Sequence, residues 1–128
     1  DRPQWHSQRA VIAEIGGLFS QVTGSLGKIG QDLALMADNG TAIIGGGGAS
    51  SAMPHKRNPV KAEVLVTLAR FNAVQISGLH QALVHEQERS GAAWTLEWMI
   101  LPQMAVAAGA STRLAIDLLQ SVEEMGDR

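Results

Sequence analysis

The 128-residue chain contains no cysteine, so disulfide staples and thiolate metal sites are excluded, and a reducing compartment is the expected setting. It also lacks an excess of positive charge. With ten Lys and Arg against twelve Asp and Glu, the formal net charge is -2, which removes the electrostatic basis for binding nucleic acid or an acidic membrane surface. No apolar run approaches the ~20 residues that cross a bilayer, and the first residues lack the basic, apolar, small-residue order of a signal peptide. A cytoplasmic protein with no membrane partner is the expectation. The chain opens on Asp1-Arg2-Pro3 without a Met, which reads as the interior of a longer protein.

What the chain does have is apolar content, 45% of its residues, enough for one core. Val11, Ile15, Leu18, Val22, Leu26, Ile29, Leu33 and Met36 recur every three or four residues, the period of a helix face. Asp1 and Pro3 suit a helix start and Asn39-Gly40 a helix stop. A second stripe runs Val60, Val64, Leu68, Phe71, Gln75, Leu79 and Leu83, with Asn58 as the expected N-cap and Pro59 in the first turn. A third begins near Trp94, passes Leu96, Ile100, Met104, Ala108, Leu114 and Leu118, and is expected to kink or divide at Pro102.

The expected fold is therefore all-α: a long-helix up-down bundle over residues 1–128, with helices at about 4–38, 59–88 and 94–124 and a loop at 39–58. No segment alternates as a strand. The first helix carries Gly16, Gly17, Gly24, Gly27 and Gly30, each costing up to ~1 kcal/mol relative to Ala. Such a helix needs neighbours that approach closely. Three helices of this apolarity do not cover one another, so partner helices are expected from absent chain or from other copies.

The loop holds the chemistry. Helix connections usually run ~2 to 8 residues, and the polar stretch from Asn39 to Asn58 exceeds that. "GGGGASSAMPHKRNP" fits no phosphate cradle, because Lys56 sits between His55 and Arg57 with no glycine before it and no hydroxyl after it. Neither Ser50 nor Ser51 has a Lys three residues on, and "HEQER" at 85–89 lacks the second His of a zinc helix. What remains is a set of backbone N–H groups, two hydroxyls, an ammonium and an amide delivered at a helix N-terminus. That set suits a carboxylate or another delocalised oxyanion. The residues alone also fit a solvated connection with ordinary capping.

"SSAMPHKRNP", residues 50–59, resembles the signature loop of the fumarase/aspartase superfamily, Gly-Ser-Ser-x-x-Met-Pro-x-Lys-x-Asn in its common form, here one residue shorter and with Ala49 in the glycine position. The flanks "RPQWHSQRAVIAEIGGLFSQVTGSLGKIGQDL" and "NPVKAEVLVTLARFNAVQISGLHQALVHEQERSGAAWTLEWMILPQ" look most like its 3-carboxy-cis,cis-muconate cycloisomerase branch. The resemblance implies part of the central helical domain of a homotetramer whose active sites are shared between subunits. It implies Ser50 as the acid/base next to a carboxylate of a small tricarboxylate substrate, with Ser51, Met53, Lys56, Asn58 and Arg89 binding that substrate. No metal or organic cofactor is implied. The implied reaction is the reversible lactonisation of 3-carboxy-cis,cis-muconate to 4-carboxymuconolactone in protocatechuate catabolism.

Adenylosuccinate lyases share the loop. They carry a polar run ending in Glu-Arg after the Glu-Arg pair, where "SGAAWTLEW" stands here, with Trp98 in the arginine position. A nucleotide-phosphate site that has lost its cation fits a smaller substrate. A catalytically silent, self-associating helical piece is the reading from another class, and the isolated 128 residues are expected to be inactive. Trp5, His6 and Arg9 read as supporting or subunit-contact residues, and His80 and His85 as structural donors near the end of the second helix.

Overall fold

A computed structural model describes residues 8–40, 42–44, 59–85 and 91–125. Three helices, α1 (Ala10–Asn39), α2 (Val60–Gln81) and α3 (Gly91–Gln120), pack against one another in antiparallel succession. The fold is all-α in its architecture, as the periodicities predict. One addition was not expected: β1 (Ala42–Ile44) pairs antiparallel with β2 (Val122–Met125). Ala-Ile-Ile is too short to show alternation, and only pairing with a segment eighty residues away makes it a strand.

Several boundaries move. Arg9 occupies the N-cap of α1 without a side-chain cap, and the Asp1 and Pro3 start lies outside the described residues. The stop at Gly40 is as expected: φ of 77° places it in the left-handed region, where its N–H meets the Ala37 carbonyl at 3.3 Å. At the start of α2, Pro59 itself takes the N-cap position, one residue later than expected, and Asn58 lies outside the described residues. α2 ends at Gln81 rather than 88, through a turn in which Leu83 N–H donates to the His80 carbonyl. Val84 is 82% exposed, so no burial holds another turn.

α3 ends at Gln120 rather than 124. Ser121 N–H donates to the Asp117 and Leu118 carbonyls and its Oγ donates to Leu118 O at 2.7 Å, tightening the last turn before β2 departs. Pro102 does not divide α3, which runs through it as one helix. One 18-residue window of α3 reaches a mean hydropathy of 1.2, long and apolar enough by composition to cross a bilayer, contrary to the expectation from runs alone. Its packing against both other helices, and the Glu97, Arg113 and Asp117 it carries, make it a core helix of the bundle.

The core has two apolar clusters. Leu33, Ala62, Leu65, Ala115 and Leu118 fill the end where α1 stops and α2 starts. Leu79, Ile100 and Met104 fill the other, with Ile12, Phe19, Ile76, Leu96 and Leu101 around them. Between these clusters lie Thr23, Asn72 and Ser111, all fully buried. Asn72 Nδ2 donates to the Met104 carbonyl at 3.2 Å, whereas Asn72 Oδ1 and Ser111 Oγ have no partner among the described residues.

The buried seam is not the apolar stripe read from the sequence. α1 turns Ala13, Gly16, Thr23, Gly27, Gly30 and Leu33 inward, while Val11 (61%) and Leu18 (58%) stay exposed. The reason is distance. A Cβ on Gly30 would stand 2.8 Å from the Ala62 carbonyl oxygen, and one on Gly27 2.7 Å from Ala69 Cβ, so α1 and α2 touch backbone to backbone. Larger side chains do not fit that seam and are displaced to the outer faces. α2 behaves alike: Ala62, Leu65, Asn72 and Leu79 are buried, and Val60, Val64 and Phe71 are exposed.

Candidate functional site

Ser50, Ser51, Met53, Lys56, Asn58 and Arg89 all lie outside the described residues, as do Trp5 and His6. Their anchors are described, and the anchors stand far apart. Segment 45–58 leaves β1 at Ile44 and rejoins the fold at Pro59, at the start of α2. Arg89 belongs to the segment between His85 and Gly91, at the other end of α2. With 22 residues at about 1.5 Å of rise each, α2 separates these ends by roughly 33 Å. Asn58 adjoins Pro59, and Arg89 is two residues from Gly91, a reach of about 7 Å. The described residues that flank the two positions, Pro59 and Gly91, therefore lie toward opposite ends of α2.

At the Arg89 end, α3 presents a polar assembly that sequence reasoning saw only in part. Arg9 Nε donates to Glu97 Oε2 at 2.9 Å and to Oε1 at 3.2 Å, and Nη2 donates to Oε1 at 2.7 Å. The Glu97 side chain is 4% exposed and that of Arg9 13%. The hydrogen bond to Glu97 raises the Arg9 pKa above its ordinary value, against the opposing effect of burial, and the carboxylate charge adds to the rise. The guanidinium carbon also lies 5.0 Å from the centre of the Trp94 ring, whose own centre is 6.0 Å from that of Trp98.

The pair forms one wall of a cavity of about 260 Å3 that Ile12, Trp98, Leu101 and Pro102 complete. Trp98 is 66% exposed there. At position 98 an indole rather than an arginine faces the groove, and the nearby cation, Arg9, is already paired by Glu97. Glu97 was missed at the sequence level. Its signal was a charged residue in phase with Ala93, Ile100 and Met104, the buried face of α3. Arg9 was singled out, but as a helical residue beside Trp5 and His6 rather than as a cap position tied to α3. His80 falls in the last turn of α2 and half-buried His85 just beyond it, where structural donors were expected.

Known proteins resemble this chain over nearly all of it. A family profile described as "Lyase" matches residues 2–78. The 3-carboxy-cis,cis-muconate cycloisomerase of Pseudomonas aeruginosa is 37% identical over 124 residues, 93% of this chain and 27% of that protein. Nitrosuccinate lyase of Streptomyces davaonensis is 38% identical over 133 residues, 97% of this chain and 27% of that protein. In structure, the 3-carboxy-cis,cis-muconate lactonizing enzyme from Pseudomonas putida superposes with a TM-score of 0.85 at 36% identity, over 94% of this chain and 28% of that one. The chain thus spans about a quarter of the length of the relatives it matches. The profile over residues 2–78, the identities above 30% across nearly the whole chain and the shared three-helix architecture lead to one conclusion: the chain belongs to the lyase family of the fumarase/aspartase superfamily.

Proposed function

We propose that this chain forms part of a cycloisomerase that interconverts 3-carboxy-cis,cis-muconate and 4-carboxymuconolactone. The observation that carries the reading is the likeness to muconate cycloisomerases across 93% of the chain, including the stretch around Trp94 and Trp98. The surroundings of that stretch support a substrate without phosphate: Glu97 neutralises Arg9, and Trp98 stands exposed in the groove.

In the lactonising direction, one carboxylate oxygen of the substrate forms a C–O bond to an alkene carbon of the same molecule. The electron pair displaced from the double bond passes to the neighbouring carbon and into the carboxylate attached there. Lys56, Asn58 and the N–H groups around Ser51 receive that charge, and Met53 lies against the substrate beside them. The Ser50 hydroxyl gives its proton to the carbon and becomes an alkoxide held by the same ammonium and N–H groups; the reverse reaction uses this alkoxide as base. Positioned proton transfer contributes roughly 10² to 10⁴ in rate and each oxyanion donor about 3 kcal/mol, so the two effects are needed together.

Arg89 pairs with a second carboxylate of the tricarboxylate, and it comes from another copy of the chain. The separation of roughly 33 Å along α2 supports that assignment. Exposed Val11, Leu18, Val74 and Val106 support further helices packing on this chain, in our reading those of a homotetramer; the proposed setting, the cytoplasm, fits a chain without cysteine. A single copy of the 128 residues holds no complete site and shows no turnover.

Loss of the diene absorbance of 3-carboxymuconate, followed with enzyme carrying this chain and with its Ser50→Ala variant, tests the reading. No loss in the unchanged enzyme would end it. The 38% identity to nitrosuccinate lyase favours a second reading, a β-eliminating lyase on the same loop, and turnover of nitrosuccinate or adenylosuccinate in place of the muconate would select it.

A further inference from the structure

On the side of α2 turned away from its buried face, Val60, Val64, Thr67, Phe71 and Val74 are all exposed, Val74 to 71%. Their alternating steps of four and three residues keep them on one line of the helix, the repeat with which two helices pack side by side. The opposite line, Ala62, Leu65, Asn72 and Leu79, is already occupied by contacts with α1 and α3. Among the described residues, the outer line stays open. A groove of about 390 Å3 between α2 and α3, lined by Leu68, Phe71, Pro102 and Val106 among others, extends it toward α3.

Charge identifies what covers this line. Glu63 and Arg70, seven residues apart, stand on one flank of it, both exposed and neither in an ion pair among the described residues. Lys61, on the other flank, already faces Asp117 at 3.9 Å. A helix with one acid and one base on the same flank is complementary to its own reverse. Laid antiparallel, Glu63 of each copy meets Arg70 of the other, whereas a parallel copy in register sets Glu63 on Glu63 and Arg70 on Arg70. The same reversal lays Val60 over Phe71 and Val64 over Thr67, so one register satisfies both the apolar and the charged contacts.

We infer that the outer line of α2 docks a second copy of this chain, antiparallel, about a two-fold axis near Thr67. The contact is one interface of the proposed homotetramer, so the inference rests on that assembly and not on the proposed reaction.

Charge reversal in the protein carrying this chain tests the register. Glu63→Arg places two like-charged pairs in the interface, and so does Arg70→Glu. Each is expected to raise the dissociation constant between copies about ten- to hundred-fold in sedimentation, with helical circular dichroism kept. An equimolar mixture of the two variants restores both attractive pairs, and native mass spectrometry should show mixed species in excess of either variant's own. The double exchange Glu63→Arg/Arg70→Glu in one chain should likewise restore association. Unchanged association in both single variants overturns the inference. Weakened association with no recovery on mixing also overturns it, and is the result expected if another segment of a longer chain covers this face. If a single variant does not fold, Thr67→Cys decides: a short bismaleimide should join two copies there, whereas Ser77→Cys, about 30 Å from its counterpart, should not be joined. Any other cross-linking pattern overturns the inference. A monomeric unchanged protein overturns it whatever the activity, while rescue on mixing in a protein that turns over no muconate supports it and ends only the proposed reaction.

Discussion

Arg9 and Glu97, 88 residues apart in the chain, hold each other by a two-pronged ion pair that ties the start of α1 to the first third of α3. A guanidinium fork matches a carboxylate in a way an ammonium does not. The pair is enclosed on one side by Trp94, so its removal exposes the unequal costs of the two partners.

Arg9→Ala leaves a carboxylate that is 4% exposed without its counter-ion and is expected to lower stability by about 2 to 3 kcal/mol. Glu97→Gln keeps the shape and one acceptor, and should cost about 1 kcal/mol. Urea unfolding of the two variants ranks them, and equal losses would contradict the pairing. The pH dependence has a definite sign. Because Glu97 raises the Arg9 pKa, the contribution is complete below the ordinary guanidinium value and disappears only as pH climbs beyond it, so no loss through this pair is expected between neutral pH and about 10.

Two glycines in one helix should respond in opposite directions. Gly30→Ala puts a methyl group 2.8 Å from the Ala62 carbonyl oxygen, forcing α1 and α2 apart, at an expected cost of about 1 to 3 kcal/mol. Gly24→Ala meets no heavy atom within 4 Å and should gain up to about 1 kcal/mol from helix propensity. The pair of chemical denaturation midpoints checks the seam directly.

The polar middle of the bundle offers a similar contrast. Ser111→Ala removes a buried hydroxyl that has no partner among the described residues, and stability should rise by about 0.5 to 1 kcal/mol. Asn72→Ala breaks the 3.2 Å bond to the Met104 carbonyl and opens a cavity, for a loss of about 1 to 3 kcal/mol. Thermal unfolding of both variants decides.

Mixing two inactive variants tests the shared site. Ser50→Ala should lower kcat by roughly 10² to 10⁴-fold, and Arg89→Ala should also abolish useful turnover. Because α2 separates the anchors of those residues, hybrids of the two variants regain part of the activity when unfolded together and refolded. No recovery in demonstrated mixed oligomers would place both residues in one chain's site.

How much of this was legible without coordinates varied with the physical origin of each feature. Helix existence and the stop at Gly40 came from local rules, period and left-handed glycine, and both could be read directly. The facing of α1 could not. Hydrophobicity pointed to Val11, Ile15 and Leu18, but the closeness of α2 is a property of the pair, and it selected Gly16, Gly27 and Gly30 instead. β1 and β2 were hidden for the same reason, each being a strand only because of the other. At the candidate site, the motif residues were legible by resemblance, while the Arg9–Glu97 pair was not, since neither residue announces a partner 88 positions away.

The outward placement of Val11, Leu18, Val74, Val106 and Ile116 has a practical corollary for anyone preparing this piece alone. Many large apolar side chains face water, so heating or concentration should cloud the solution before the helices melt. Recoding those five positions to Glu or Lys is the route to a tractable specimen, because the glycine seam between α1 and α2 and the two buried apolar clusters would be left intact.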